Sequence, residues 1–596
     1  MKSLGLVFLF LAMNVYAQNI TPTATEAQEF MNKAEAQLAD LNVKVQRASW
    51  VQENFITDDT QAIAADAIDE VTAVTTELVE EAKRFDGLAL SPELARKFLL
   101  LKLSLTAPAP KDAALRREMT EIGVSLDADY GKGKYCRKNG ECLEITAIEK
   151  VMSTSRNPEE LKEVWTGWHG IAPPIRQRYA RFVDLSNQGA REIGFKDTGA
   201  LWRANYDMAP EAFSSDLERL WNQVKPLYLS LHTFVRWKLA EKYGPGVVPP
   251  DGPIPAHLLG NPWAQEWGNI YDLLGVTEDK GGGVNVTELL QKKNLDPKAM
   301  VKYGEGFFTS MGFAPLPPTF WERSLFTKPA DRDVVCHASA WDIDNFDDLR
   351  VKMCIQVRGT DFVTIHHELG HNFYQRAYKD LPFMFKSGAN DGFHEAIGDA
   401  IALAITPEYL HKVGLLENVP QATNDIPELL KQALDRVAFL PFGLMIDQWR
   451  WKVFSGEISP ADYNKSWWAL RLKYQGVAPP MARSEADFDP GAKYHVAANV
   501  PYVRYFLAHI LEFQFYRALC RESGYKGPLN RCTFYGSKEA GAKFNKMLAM
   551  GQSKPWPDAL EVLTGERQTD AGALLEYFAP LKQWLDEQNK GKKVGW

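Results

Sequence analysis

Residues 361–403 decide the fold, and they read DFVTIHHELGHNFYQRAYKDLPFMFKSGANDGFHEAIGDAIAL. The motif His-Glu-Leu-Gly-His occupies positions 367–371. On a helix, residues four apart share one face, so the imidazoles of His367 and His371 can reach a single metal ion. Apolar neighbours such as Ile365 and Phe373 predict that this helix is buried. Because buried polar groups need partners, a metal ion is a better interpretation than an exposed polar pair.

The residues around the two histidines indicate hydrolysis that depends on a zinc ion. Glu368 directly follows the first histidine, from where a carboxylate can take a proton from an attacking water. Tyr374 and Ala377 occupy the places where the metzincin pattern needs Gly and His, so the third ligand must come from elsewhere. Glu395, on the next predicted helix, completes a set of two histidines and one glutamate. Asp399 lies four residues further on and would accept a hydrogen bond from a ligand histidine.

Other polar residues lie beside this motif. We predict that His366 and His394 face other directions and serve packing or support of the ligands. Glu395 and Asp399 could instead be surface charges, but the apolar residues between and after them predict a buried helix.

Apolar residues at steps of three and four predict long amphipathic helices over much of the chain. The first carries Phe30, Ala34, Leu38, Leu41 and Val45. Further helices are predicted over 60–84, 92–105, 217–243, 426–454 and 499–524. Strand patterns are rare: the clearest covers 351–357, and an extended segment at 339–341 would lie beside it. The sequence therefore predicts a mainly α fold with a minor β-sheet.

Composition sets the class but not the chemistry. The chain has 596 residues, of which 45% are hydrophobic and 24% charged, with a formal net charge of −8. This profile excludes collagen, low-complexity disorder and a membrane protein with many spans. The mild acidity argues against nucleic acid as a partner.

The N-terminus predicts export. Lys2 precedes an apolar run over 4–13 and a small residue at Ala17, which is typical of a signal peptide over 1–17. The run is shorter than the roughly 20 residues that span a bilayer, so we expect no membrane anchor. The destination is extracellular, or periplasmic if the source is bacterial. The mature part, 18–596, is predicted to be one large catalytic domain.

An even number of cysteines in an exported chain indicates disulfides. The six are Cys136, Cys142, Cys336, Cys354, Cys520 and Cys532. They allow 15 connectivities, of which pairing between sequence neighbours is the simplest: 136–142, 336–354 and 520–532. A cysteine metal site is not supported, because no Cys-x-x-Cys spacing is present.

The segments 366–382 and 388–399 closely resemble the angiotensin-converting enzyme family, a family of zinc peptidyl-dipeptidases. The resemblance covers nearly the whole mature chain and corresponds to one catalytic domain, not the tandem form. It implies a large two-lobed helical metallopeptidase with two helical subdomains and a deep central cleft. It also implies one Zn²⁺ per chain and oligopeptide substrates with a free C-terminal carboxylate, from which dipeptides are released. We expect a monomer.

The same resemblance implies roles for a second catalytic stretch. His495 and Tyr505 would donate hydrogen bonds to the negative charge that develops on the attacked carbonyl. Lys493, Tyr502 and Gln265 would hold the C-terminal carboxylate of the substrate.

A further segment, His337 and Ala338, matches the family's edge segment, which pairs with the substrate backbone as an added strand. Gln265 bears on specificity, because the related monocarboxypeptidase branch has an arginine at this position. A zinc monocarboxypeptidase or endopeptidase of the same fold remains an alternative, as does a catalytically silent peptide-binding homologue.

The family is activated by chloride. Tyr206 and Arg504 match one chloride site, and Trp467 and Arg471 match part of another. At this second site the family usually has an arginine where this chain has His169. Anion binding to His169 would require its protonated form and would weaken above the ordinary histidine pKa of about 6.5.

Overall fold

The computed structural model describes residues 22–276, 284–420 and 425–596. Within these ranges the chain forms 23 α-helices and six short strands. The helices are α1 Ala24–Asn54, α2 Asp58–Ala82, α3 Pro92–Leu103, α4 Ala113–Gly131, α5 Ile145–Thr154, α6 Pro158–His169, α7 Arg176–Glu192, α8 Thr198–Ala204, α9 Pro210–Tyr243, α10 Val286–Lys292, α11 Pro297–Ser310, α12 Pro318–Arg323, α13 Gly359–Ala377, α14 Phe393–Leu403, α15 Pro407–Lys412, α16 Ile426–Phe454, α17 Tyr463–Leu470, α18 Tyr494–Ala497, α19 Val503–Glu522, α20 Lys538–Leu548, α21 Trp556–Thr564, α22 Gly572–Tyr577 and α23 Ala579–Gln588.

The mainly α prediction is confirmed, and the helical periodicity placed the long helices well. α16 has the predicted bounds, and α2, α3 and α19 differ from prediction by a few residues at their ends. On α1, Phe30, Ala34 and Leu38 are buried as the spacing predicts. α9 begins seven residues before the predicted start, at Pro210, because proline fits the first turn of a helix.

The strands form three two-stranded sheets. They are β1 Lys134–Cys136, β2 Cys142–Glu144, β3 Ile254–Pro255, β4 Ser339–Asp342, β5 Leu349–Lys352 and β6 Val477–Ala478. β1–β2 and β4–β5 are antiparallel, and β3–β6 is parallel. The strand prediction for 351–357 is wrong in extent, since β5 ends at Lys352. The backbone N–H of Met353 donates instead to the carbonyl of Leu325 (2.8 Å), so the chain leaves β4 at this point.

The three disulfides join sequence neighbours. They link Cys136 to Cys142, Cys336 to Cys354, and Cys520 to Cys532. The second one fastens the segment before β4 to the residues just after β5.

A continuous cluster of buried apolar residues runs from Ala27 to Leu585, and it contains the helices that carry the candidate site. α14 packs between α13 and α19, and α16 packs along α19. In the described ranges, none of the helices has the length and apolar character needed to cross a membrane. The predicted signal peptide, 1–17, lies outside the described residues, so export stays a prediction.

Candidate active site

Two buried helices bring the predicted metal donors together. On α13, the Nε2 atoms of His367 and His371 lie 3.1 Å apart. On α14, Oε2 of Glu395 lies 3.6 Å from Nε2 of His367. Tetrahedral zinc with bonds of about 2.0–2.1 Å requires ligand atoms about 3.3 Å apart. The donor set therefore fits a zinc ion.

The charges around His367 also favour a cation at this place. Burial alone would lower the pKa of His367, but the hydrogen bond and charge of Asp399, with Glu368 and Glu395, raise this pKa to about 9. Burial lowers the pKa of His371 well below its usual range, so this imidazole keeps a free lone pair. The carboxylates attract positive charge and His371 offers a neutral nitrogen, and both properties favour a metal ion.

Two glycines allow the helices to approach this closely. A Cβ atom added to Gly370 would lie 2.9 Å from Cα of Gly398. One added to Gly398 would lie 2.7 Å from Nδ1 of His367. A larger residue at either position would push α13 and α14 apart, so the convergence of the donors depends on these glycines.

We expect Gly398→Ala to move the His367 ring and to lower stability, because overpacking costs about 1–3 kcal/mol. Zinc affinity should fall at the same time. Gly306→Ala on α11 is a matched control, since a Cβ there meets nothing within 4 Å. Thermal unfolding and zinc titration of both variants check this. Wild-type zinc affinity in Gly398→Ala would contradict it.

Asp399 supports the first ligand as the spacing predicts. Its Oδ1 accepts a hydrogen bond from Nδ1 of His367 at 3.2 Å. Asp399, His509 and Glu512 also form a second cluster of possible ligand atoms. However, Arg436 pairs with both Asp399 (3.5 Å) and Glu512 and already supplies the positive charge. Burial would raise the pKa of Asp399, but Arg436 and His367 hold it well below its usual range.

Glu368 lies between the ligands on α13 and is 7% exposed. Burial raises the pKa of its carboxyl, and the charge of Glu395 adds to this effect, while His367 and His337 lower it. A carboxylate with a raised pKa is a better proton acceptor than an exposed one.

The segment that resembles the family's second catalytic stretch forms a cluster of rings. The ring centroids of His495 and Tyr505 are 5.8 Å apart, and Tyr502 contacts both rings. Burial, and then the charge of Lys493, lowers the pKa of His495 to about 3. Burial raises the pKa of the Tyr505 phenol, which also senses the charge of Glu395. Both side chains are therefore neutral near pH 7.

A buried ion pair on α16 holds this stretch. Oδ2 of Asp447 accepts hydrogen bonds from the backbone N–H groups of Tyr502 and Val503, each at 2.7 Å. Nη1 of Arg450 donates to the carbonyl of His495 at 2.7 Å. Asp447 and Arg450 also pair with each other. Sequence reasoning missed both, although an Asp and an Arg three apart in an otherwise apolar helix are a signal.

Lys493, Gln265 and Tyr502 meet at one oxygen. Nζ of Lys493 donates to Oε1 of Gln265 at 2.7 Å, and Oη of Tyr502 donates to the same atom at 3.3 Å. Burial lowers the pKa of Lys493 to about 8, although the charge of Glu266 opposes this. The ammonium of Lys493, the hydroxyl of Tyr502 and the side-chain NH₂ of Gln265 form a compact donor group that matches the needs of a carboxylate.

Lys352 fixes the backbone of the predicted edge segment, His337 and Ala338. His337 and Ala338 precede β4, and Nζ of the buried Lys352 donates to the carbonyls of Val335 and His337, each at 2.8 Å. The same ammonium pairs with Glu53 of α1 at 2.9 Å. This arrangement fixes the backbone of the segment.

The candidate chloride residues carry unused donors. Among the described residues, Oη of Tyr206 and Nε of Arg504 have no hydrogen-bond partner. The same holds there for Nε and Nη2 of the buried Arg471. Trp467 is buried, and burial lowers the pKa of His169 to about 4. His169 is therefore neutral near pH 7 and adds no charge to an anion site.

Of the two further histidines, one has an orientation that differs from the prediction, although a supporting role for it is not contradicted. His366 is buried away from the donors, between the carbonyl of Phe362 and the hydroxyl of Tyr409 (2.7 and 2.9 Å). His394 does not face away: its Nδ1 lies 3.4 Å from Nδ1 of His371. His394 turns inward with α14, which periodicity alone could not specify.

A donor set of two histidines and a glutamate on two buried helices defines the class of zinc metallopeptidases. Within that class, the sequence profile described as "Angiotensin-converting enzyme" matches residues 21–596. The chain belongs to the angiotensin-converting enzyme family.

Individual relatives agree with this family. An angiotensin-converting enzyme of Bos taurus is 41% identical over 578 residues, which cover 96% of this chain but 44% of the relative. One of Theromyzon tessulatum is 41% identical over 587 residues, which cover 97% of this chain and 94% of the relative. One of Haematobia irritans exigua is 39% identical over 579 residues, covering 94% and 93%. The chain thus spans less than half the length of the mammalian relatives.

Proposed function

We propose that this chain is a zinc-dependent dipeptidyl carboxypeptidase that releases C-terminal dipeptides from oligopeptides. The observation that carries the proposal is the donor group of Lys493, Gln265 and Tyr502. It is linked to the metal donors through Tyr505, whose ring lies 5.0 Å from that of Tyr502 and which senses Glu395. A carboxylate anchor close to a metal centre selects peptides by their free C-terminus.

Each side chain then has a defined task. His367, His371 and Glu395 would hold one zinc ion, which supplies Lewis-acid polarisation of the carbonyl and an activated water. Glu368 takes the proton of the attacking water and passes it to the leaving amine. We assign His495 and Tyr505 to the developing oxyanion, because both are neutral hydrogen-bond donors at the site.

The remaining residues position the peptide. Lys493, Gln265 and Tyr502 hold its terminal carboxylate, and the segment of His337 and Ala338 pairs with its backbone. Gln265 supports dipeptide release, because the arginine that marks the monocarboxypeptidase branch is replaced here by a shorter neutral side chain.

A digest of matched peptides tests the function. We expect a free-acid peptide to lose successive dipeptides, its C-terminal amide to be resistant, and a chelator to abolish cleavage. Mass analysis of the products distinguishes the alternatives. Release of single residues would indicate a monocarboxypeptidase. Internal cleavage of the amidated peptide would indicate an endopeptidase. Zinc binding without hydrolysis would indicate a catalytically silent peptide-binding homologue.

Chloride is proposed as an activator. The unused donors of Tyr206, Arg504 and Arg471 support it, since a buried donor without a hydrogen-bond partner is costly. We expect chloride to raise activity and Arg504→Gln to increase the chloride concentration required by about tenfold or more, the worth of a charge-assisted contact. Arg471→Gln tests the second site. Wild-type activity that is independent of chloride would contradict both assignments.

Export as a monomer with one catalytic domain completes the proposal. The signal-like N-terminus supports secretion to the extracellular space or the periplasm. Sequencing the N-terminus of secreted protein tests it, with residue 18 expected first.

A further inference from the structure

The two candidate ligand histidines are supported in different ways. Nδ1 of His367 faces the carboxylate of Asp399 at 3.2 Å. Nδ1 of His371 faces instead another imidazole, that of His394, at 3.4 Å. Nε2 of His394 in turn lies 3.2 Å from Oη of Tyr378, in the turn that follows α13. A line of three side chains therefore runs from the metal donors to Tyr378.

Only one arrangement of protons along this line permits metal binding. A ligand nitrogen must offer its lone pair, so a metal at Nε2 of His371 requires the proton on Nδ1. That N–H can only donate to Nδ1 of His394 if the latter is unprotonated. A neutral His394 then carries its proton on Nε2 and donates it to Oη of Tyr378.

The opposite arrangement blocks the metal. If Tyr378 donated to Nε2 of His394, the proton of His394 would sit on Nδ1 and point at His371. His371 would then carry its proton on Nε2 and donate it to Nε2 of His367, 3.1 Å away. Both arrangements place the same number of protons on His371, His394 and Tyr378, but only the first leaves Nε2 of His371 unprotonated, while the second makes it a donor towards His367. The direction of these hydrogen bonds thus decides whether the second ligand is available.

Packing restricts the orientation of the His394 ring. The ring of Tyr374 lies against that of His394, with centroids 4.4 Å apart. On another side, a Cβ atom on Gly388 would lie 3.0 Å from Cδ2 of His394. The ring is held with both nitrogens on the line between His371 and Tyr378.

We propose that His394 and Tyr378 are positioning residues that select the metal-binding tautomer of His371. The acceptor at the far end is the hydroxyl of Tyr378, whose oxygen lies 3.2 Å from Nε2 of His394. The inference rests on the proposed zinc centre. His394 and Tyr378 would do for His371 what Asp399 does for His367, with two neutral side chains in place of one carboxylate.

Zinc affinity measured by chelator competition tests the proposal without peptide hydrolysis. Tyr378→Phe removes the acceptor for Nε2–H, and we expect the zinc dissociation constant to rise about tenfold. Tyr374→Phe is the matched control: it contacts the same imidazole ring, but its hydroxyl accepts from the backbone of Ala389 (3.0 Å). We expect it to stay within about twofold of wild type.

A second pair of variants guards against a general loss of structure. His394→Phe should weaken zinc about 10–100-fold, whereas His394→Gln, which keeps an acceptor and a donor, should restore much of the affinity. In the zinc-loaded wild type, ¹⁵N NMR should show His371 protonated at Nδ1 and His394 at Nε2.

Three results would overturn the inference: wild-type zinc affinity in Tyr378→Phe, an equal loss in Tyr374→Phe, or His394 protonated at Nδ1 in the zinc form. Failure of the wild type to bind zinc is a separate result, because it would refute the proposed metal centre itself.

Discussion

Glu368→Gln is expected to lose turnover by about 10²–10⁴-fold while keeping its zinc, because the amide preserves the shape but cannot accept the proton of the attacking water. Glu368 is buried between the donors without being one of them. The kcat for a free-acid peptide and the zinc content of the same preparation are the two measurements.

Glu395→Gln is the contrasting variant for this experiment. It removes a charged metal donor, so it should lose zinc as well as turnover. Substantial turnover by Glu368→Gln at full zinc content would refute the assignment of the base. Loss of zinc in Glu368→Gln would instead place Glu368 among the ligands.

The second large effect concerns Lys493 and pH. Burial lowers the pKa of this ammonium to about 8, so a rise in pH through 8 removes the charge that would hold the substrate carboxylate. The value of kcat/KM should therefore fall as the pH rises through about 8. This alkaline limb of the pH profile reports the pKa of the group in the free enzyme. We expect Lys493→Met to raise KM about 10–100-fold, since a charged hydrogen bond contributes about 1.5–3 kcal/mol, and to abolish this limb.

Two controls make the Lys493 test specific. Lys590→Met removes an exposed lysine that pairs only with Glu587 among the described residues, and this variant should behave as wild type. An amidated peptide lacks the C-terminal carboxylate, so any residual cleavage of such a peptide should be insensitive to Lys493→Met. An alkaline limb that persists in Lys493→Met would show that another group titrates there.

The parts of the site that depend on local spacing could be predicted from the sequence. His367, His371 and Glu368 follow from one helical turn, and Asp399 from the next helix, where it bonds to His367. The long helices likewise follow from their apolar periodicity. These features need no knowledge of which distant segments meet.

Features that depend on tertiary contact could not be predicted in this way. Asp447 and Arg450 act on a segment some fifty residues away, and nothing in their own helix indicates its position. The inward orientation of His394 depends on how α14 crosses α13 at Gly370 and Gly398. The hydrogen bond between Gln265 and Lys493, the proposed carboxylate anchor, was accessible only through resemblance to a family, because their separation of 228 positions carries no local signal.

α16 serves both halves of the candidate site. Arg436 supports Asp399 behind the metal donors, and Asp447 holds the start of α19. The two residues are eleven positions apart, which is about 16 Å along a helix at about 1.5 Å per residue. In the proposed enzyme, this one helix would set the separation between the metal donors and the residues that bind the substrate terminus. An inserted residue between them would rotate one end by about 100° relative to the other. On the proposed function, the length of the released fragment would depend on a helix that need not touch the peptide.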